Sequence, residues 1–152
     1  MHPNESPVDD APILICYDGS EGARRAIRTA AALLGDRRAV VLDVAPLLTT
    51  AESYASLGPM TPDFEELNAE DALTRAKTGA RLARSVGLTA EARTALDAPT
   101  WEGVTSVADE IGAAVIVLGS RDLTGVRELV QGSLSHQVAE HAGRPVLIVP
   151  PP

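Results

Sequence analysis

The chain of 152 residues has one cysteine, one lysine and four aromatic side chains, and each scarcity excludes a class of function. Cys16 alone cannot close an internal disulfide, and with His2, His136 and His141 it offers no metal-ligand spacing. Lys77 is the only lysine, so a G-x-x-x-x-G-K-[ST] phosphate loop does not exist, and neither does the late lysine that a receiver domain's phosphorylation site needs. Phe64, Trp101, Tyr17 and Tyr54 are too few to build base-stacking platforms. Acids outnumber bases 21 to 13, for a formal charge of −8, and such a surface repels both nucleic acid and anionic lipid. Apolar runs such as Ala113–Leu118 fall far short of the roughly 18 residues that span a bilayer. The segment Met1-His2-Pro3-Asn4-Glu5-Ser6-Pro7 has no positive region ahead of an apolar stretch, so no signal peptide is expected. The expectation is a reducing, cytoplasmic setting with neither nucleic acid nor membrane as partner.

What is present is a globular composition, 45% hydrophobic, of a length that suits one domain. Residues 1–11 are polar, acidic and Pro-containing and are expected to be a disordered tail, leaving 12–152 as the domain. Short apolar runs then alternate with helical periodicity. Pro12–Tyr17, Ala39–Ala45, Ala113–Leu118 and Pro145–Pro150 read as apolar strands, and Thr89–Leu96, which alternates through Ala90 and Ala92, as a less buried strand near a sheet edge. Between them, Ala23–Leu34, Asp63–Val86, a segment opened by Pro99 and stopped by Gly112, and one ending at Gly143 read as amphipathic helices. This alternation specifies a parallel sheet covered by helices on both faces.

In such a sheet, ligands sit outside the carboxyl ends of strands where the winding reverses. Two segments fall there. After the first strand, Asp18-Gly19-Ser20 offers a carboxylate that could accept hydrogen bonds from a ribose hydroxyl or a base amine, or could simply cap the next helix together with Ser20. After the fourth, Gly119-Ser120-Arg121-Asp122 and Gly132-Ser133-Leu134-Ser135 could cradle an anion at a helix start, or form an ordinary strand-to-helix loop with a Ser cap. Ser135 and His136 are chain neighbours without a G-x-S-x-G elbow, which argues against a hydrolase. Cys16 reads as a buried small hydrophobe, Trp101 as the cover of a helix start, and His141 as a cation at a helix C-terminus.

The element order, Asp18 after the first strand, Gly119 and Gly132-Ser133 before the last helix, and the ending Arg144-Pro145-Val146-Leu147-Ile148-Val149 together resemble the universal stress protein family, from about Pro12 to Val149. The resemblance implies a single open five-stranded parallel sheet in the order 3-2-1-4-5, with helices on both faces in a Rossmann-like α/β fold. It also implies an adenine nucleotide, ATP or an AMP-type ligand, with Mg²⁺ accompanying ATP. Asp18 and the backbone of Val44 would hold the adenosine end, and Gly119, Arg121, Asp122, Gly132, Ser133 and Ser135 the phosphate end. The chain departs from the nucleotide-binding branch at three positions: Asp122 stands where that branch has its middle glycine, Asp43 where it often has His, and Asp97 where Gly is frequent. A carboxylate at 122 would repel phosphates and makes the phosphate loop degenerate, while Arg121 could offset it.

The expected function is therefore a nucleotide-binding stress sensor. The competing reading is a dimeric interaction protein that binds no nucleotide. An enzyme, such as a slow ATPase or phosphotransferase, ranks third because neither a lysine clamp nor an evident general base is present. On the order 3-2-1-4-5, the last strand is an apolar sheet edge, so a homodimer through residues 145–150 is expected.

Overall fold

The computed structural model describes residues 10–44, 63–95, 100–120 and 134–152. Five strands, β1 Ile13–Tyr17, β2 Arg38–Asp43, β3 Thr89–Thr94, β4 Val115–Gly119 and β5 Val146–Val149, form one parallel sheet in the order β3-β2-β1-β4-β5. The expected fold class and strand order are both borne out. The strand limits differ slightly from the sequence reading: β2 starts one residue earlier, β3 stops at Thr94, and β5 is four residues long.

β1 lies at the centre, and all five of its residues are buried. Its register sets Ile15 between Val41 of β2 and Val117 of β4. Burying each large aliphatic side chain contributes about 1.5–3 kcal/mol, so a strand with no charged side chain belongs in the middle. β3, at one edge, has no fully buried residue and alternates exposed and half-buried positions over Thr89–Ala92.

Four helices among the described residues cover the sheet: α1 Glu21–Leu34, α2 Asp63–Ser85, α3 Thr100–Ile111 and α4 Leu134–His141. Ile13, Ile15, Tyr17, Val41 and Val117 point to the face covered by α1 and α2, through Ala23, Ala26, Ile27, Ala30, Ala80 and Ala83. Leu14, Cys16, Val40, Leu42, Ile116 and Leu118 point to the opposite face, covered by α3 and α4 through Val104, Val107, Ala108 and Val138. Alternate strand residues thus feed two separate cores, as a period of two requires. The winding reverses between β1 and β4, and the carboxyl ends of these two strands define the mouth of the fold.

Local sequence explains the helices. Ser20 caps α1, its hydroxyl accepting from Ala23 N at 3.1 Å, and Gly35 ends the helix with φ +72°. In α2 the buried stripe is Ala72, Ala76, Ala80 and Ala83, which lets the helix lie close to the sheet. The approach is closest at Gly79, where a Cβ would come within 2.8 Å of Val41 Cγ1 and 2.9 Å of the Tyr17 ring. A glycine inside a helix costs about 1 kcal/mol relative to Ala, and here steric room is the reason for it. At the end of α3, Arg144 donates to Ala108 O at 2.9 Å and Ala113 O at 2.7 Å and pairs with Asp109, tying the turn before β5 to the carbonyl end of the helix.

Candidate functional site

The ends of β2, β1 and β4 lie side by side at the mouth, and each delivers one expected site residue. Asp18 follows β1, Val44 follows β2, and Gly119 ends β4. Asp18 Oδ1 accepts from Ser20 N at 2.9 Å, a local turn that fixes the carboxylate just ahead of α1. Ser20 is the cap and Asp18 is the residue that turns the chain into it, so the capping alternative holds for Ser20. Val44 N donates to Tyr17 O at 2.8 Å, extending the β1–β2 ladder by one rung. Its amide is thereby committed to β1. The mouth offers hydrogen-bond acceptors on two neighbouring strands.

Asp43, the last residue of β2, is 5% exposed. A buried carboxylate needs a partner, and Arg75 of α2 supplies it: Nε donates to Oδ1 at 2.8 Å and Nη2 to Oδ2 at 3.3 Å. The hydrogen bond to Asp43 raises the Arg75 pKa against the effect of burial, with smaller contributions from the charges of Asp43, Asp71 and Asp18. The acid that departs from the family pattern at 43 is thus matched by a cation. Sequence reasoning missed Arg75. The available signal was a carboxylate at the end of a strand buried on both faces, which demands a cation from whichever helix covers it.

A second arginine organises the turn. Arg24 Nη1 donates to Gly19 O at 2.7 Å and Nε to Glu21 Oε2 at 3.2 Å, while hydrogen bonding to Tyr17 is the main cause of its raised pKa. Gly19 itself has φ +84°, a conformation that favours glycine.

Gly119 has a packing reason to be glycine. A Cβ there would sit 2.5 Å from Gly22 O and 2.7 Å from Gly22 C, so the first turn of α1 occupies the space. Ser120 N donates to Val149 O at 2.9 Å, continuing the sheet beyond β4. Arg121, Asp122, Gly132 and Ser133, together with Asp97, lie outside the described residues, whereas Ser135 stands in the first turn of α4, half-buried.

A sequence model of the universal stress protein family matches residues 11–150. The chain belongs to the universal stress protein family. This universal stress protein is 30% identical over 144 residues to the universal stress protein YxiE of Bacillus subtilis strain 168, covering 90% of this chain and 97% of that one. It is similar in fold to a universal stress protein from Archaeoglobus fulgidus, with TM-score 0.69 and 22% identity over 91% of this chain and 98% of the other. It is also similar to a universal stress protein solved in complex with cAMP, with TM-score 0.58 and 22% identity over 91% and 96% of the two chains.

The remaining candidates in this universal stress protein play structural parts. Cys16 is buried, and its thiol is pushed up to about 12 by burial first and the charge of Asp18 second. Trp101 covers the start of α3 and also stacks on His141, with ring centroids 4.2 Å apart and planes 22° apart, so the start of α3 and the end of α4 share one contact. His141 Nδ1 lies 2.9 Å from Gln137 O, and His136 faces Glu140 at 3.8 Å on the exposed side of α4. Among the described residues, no group of three or more His, Cys, Asp and Glu could hold a metal ion, and no helix is long and apolar enough to cross a membrane.

Proposed function

We propose that this universal stress protein is a cytoplasmic sensor that binds an adenine nucleotide at the mouth formed by the ends of β2, β1 and β4, and that it works by binding and not by turnover. The observation that carries the reading is the pair of acceptors on adjacent strands, the Asp18 carboxylate and the Val44 carbonyl, set in register by the bond from Val44 N to Tyr17 O at 2.8 Å. Adenosine presents complementary donors, ribose hydroxyls at one end and the 6-amino group at the other. The Asp43–Arg75 pair keeps a second carboxylate near this end electrically matched. The cAMP complex of a similar protein supports the same ligand class. Phosphates would run toward Gly119, Arg121, Asp122, Gly132, Ser133 and Ser135, and Mg²⁺ would accompany ATP on its phosphates. Calorimetric titration of AMP and ATP into the wild type and Asp18→Ala tests the reading.

We further propose a homodimer through β5. That strand is a sheet edge, and Ile148 on it is 39% exposed. This exposed apolar residue also favours the second reading, a dimeric interaction protein that binds no nucleotide.

A further inference from the structure

The other edge of the sheet, β3, has a different chemistry. In a parallel strand, alternate residues turn their main-chain groups to opposite sides, and Thr89 N donates toward β2, to Arg37 O, at 3.3 Å. The groups of Ala90 and Ala92 therefore turn outward, away from β2. Beside them, between β3 and α2, runs a groove of about 550 Å³ floored by Ala80, Ala90 and Ala92 and bordered by Lys77, Arg81 and Arg84. Small side chains leave the groove open. The three cations stand at i, i+4 and i+7 on α2, so they form one line along the helix. All three are exposed, on a chain whose formal charge is −8.

Arg84 reaches the edge, its Nη1 donating to the outward carbonyl of Ala90 at 2.8 Å, so an added strand has to displace this exposed arginine from Ala90. The next outward residue, Ala92, lines the same groove. The spacing is also suggestive of what fits. Lys77 and Arg81 are about 6 Å apart along the helix axis, and alternate residues of an extended chain are about 6.6 Å apart.

We propose that the β3 edge is a docking site for an acidic, extended segment of a partner protein, which lies beside β3 as a sixth strand and sets alternate carboxylates against Lys77 and Arg81. Main-chain pairing supplies the general affinity in this mode, and the side chains that alternate toward α2 supply the selectivity. A second copy of this chain does not suit the site, because pairing β3 with β3 would bring the same cations together. Nucleic acid suits it poorly, since no aromatic side chain lines the groove to stack on a base. The proposal is independent of the nucleotide site.

The test is fluorescence anisotropy with a short labelled peptide alternating Glu with Val and Thr, titrated with the full-length protein. Saturable binding is expected, weakened about tenfold or more in the double variant Lys77→Glu/Arg81→Glu. Both substitutions are at exposed positions, and circular dichroism checks that the variant is folded. Replacing every Glu of the peptide by Lys, or methylating alternate amides of its backbone, should abolish binding. Amide shifts in NMR spectra should cluster at Ala90–Thr94. Absence of saturable binding, equal binding by the double variant, shifts centred elsewhere, or tighter binding of a single-stranded oligonucleotide would each overturn the proposal.

Discussion

Asp43 and Arg75, 32 residues apart in the chain, form a two-pronged ion pair between the end of β2 and the middle of α2. The carboxylate is 5% exposed and the arginine side chain 36%, so the pair is buried at one end and wet at the other. Removing only the cation strands a buried negative charge. Arg75→Met is expected to cost about 1–3 kcal/mol, below the range for a fully buried pair because solvent reaches the arginine. At about 2–4 °C per kcal/mol, the thermal midpoint should fall by several degrees. The double variant Arg75→Met/Asp43→Asn should recover most of the loss. Thermal melts of the three proteins check this, and an unchanged midpoint for Arg75→Met would contradict it.

Cys16 gives a prediction with a defined pH sign. Its ordinary value of 9.0 is raised to about 12 in the fold. Above pH 9 the unfolded chain loses this proton while the folded chain keeps it, so unfolding is favoured as pH rises. The contribution to stability is intact below about pH 9 and is lost toward pH 12, at up to about 1.4 kcal/mol per pH unit. Urea melts of the wild type between pH 8 and pH 10.5 (about 1.5 units past the onset) should show a steeper decline than those of Cys16→Ala. Iodoacetamide at pH 8 should label the thiol only after denaturation.

Gly119→Ala isolates the packing of α1 on β4. A Cβ at 2.5 Å from Gly22 O meets backbone, which cannot rotate away. Destabilisation of about 1–3 kcal/mol is expected from the overpacking. Chemical denaturation measures it, and a stable Gly119→Ala protein would show that the helix start can move.

The fold was legible because every strand but β3 is a short apolar run, β3 alternates Ala90 and Ala92 with polar residues, and the helices carry their own stops, as Gly35 and Gly112 do with φ +72° and +64°. Asp18 was placed at the mouth by the same reasoning, since it directly follows the first strand, whereas Val44 came only from the family resemblance. Arg75 was not legible. It stands beside the alanine stripe of α2, and nothing local says that Asp43 lies beneath it until β2 and α2 are stacked. The packing role of Gly119 was not legible for a related reason: nothing in the sequence shows that the backbone of Gly22 lies against the end of β4. The stacking of Trp101 on His141 joins residues 40 positions apart and has no sequence signature.

The proposed dimer depends on β5. Leu147→Asp should give a monomer by light scattering at micromolar concentration, where the wild type is expected at twice its chain mass of 15.9 kDa. Ile148→Lys, at the exposed position of the strand, should do the same with little effect on the thermal midpoint. A wild-type monomer, or a dimer indifferent to both changes, would contradict the β5 assignment.

Calorimetric titration of AMP and ATP into the wild type, Asp18→Ala and Asp122→Gly tests the central claim most directly. The wild type should bind both nucleotides, and Asp18→Ala should weaken both by a similar factor, because it removes an acceptor at the adenosine end. Asp122→Gly should tighten binding by about ten- to a hundredfold, more for ATP than for AMP, since each 1.4 kcal/mol of relieved repulsion is a factor of ten. No detectable binding by the wild type and by Asp122→Gly would contradict the nucleotide site and leave the dimeric interaction protein as the function.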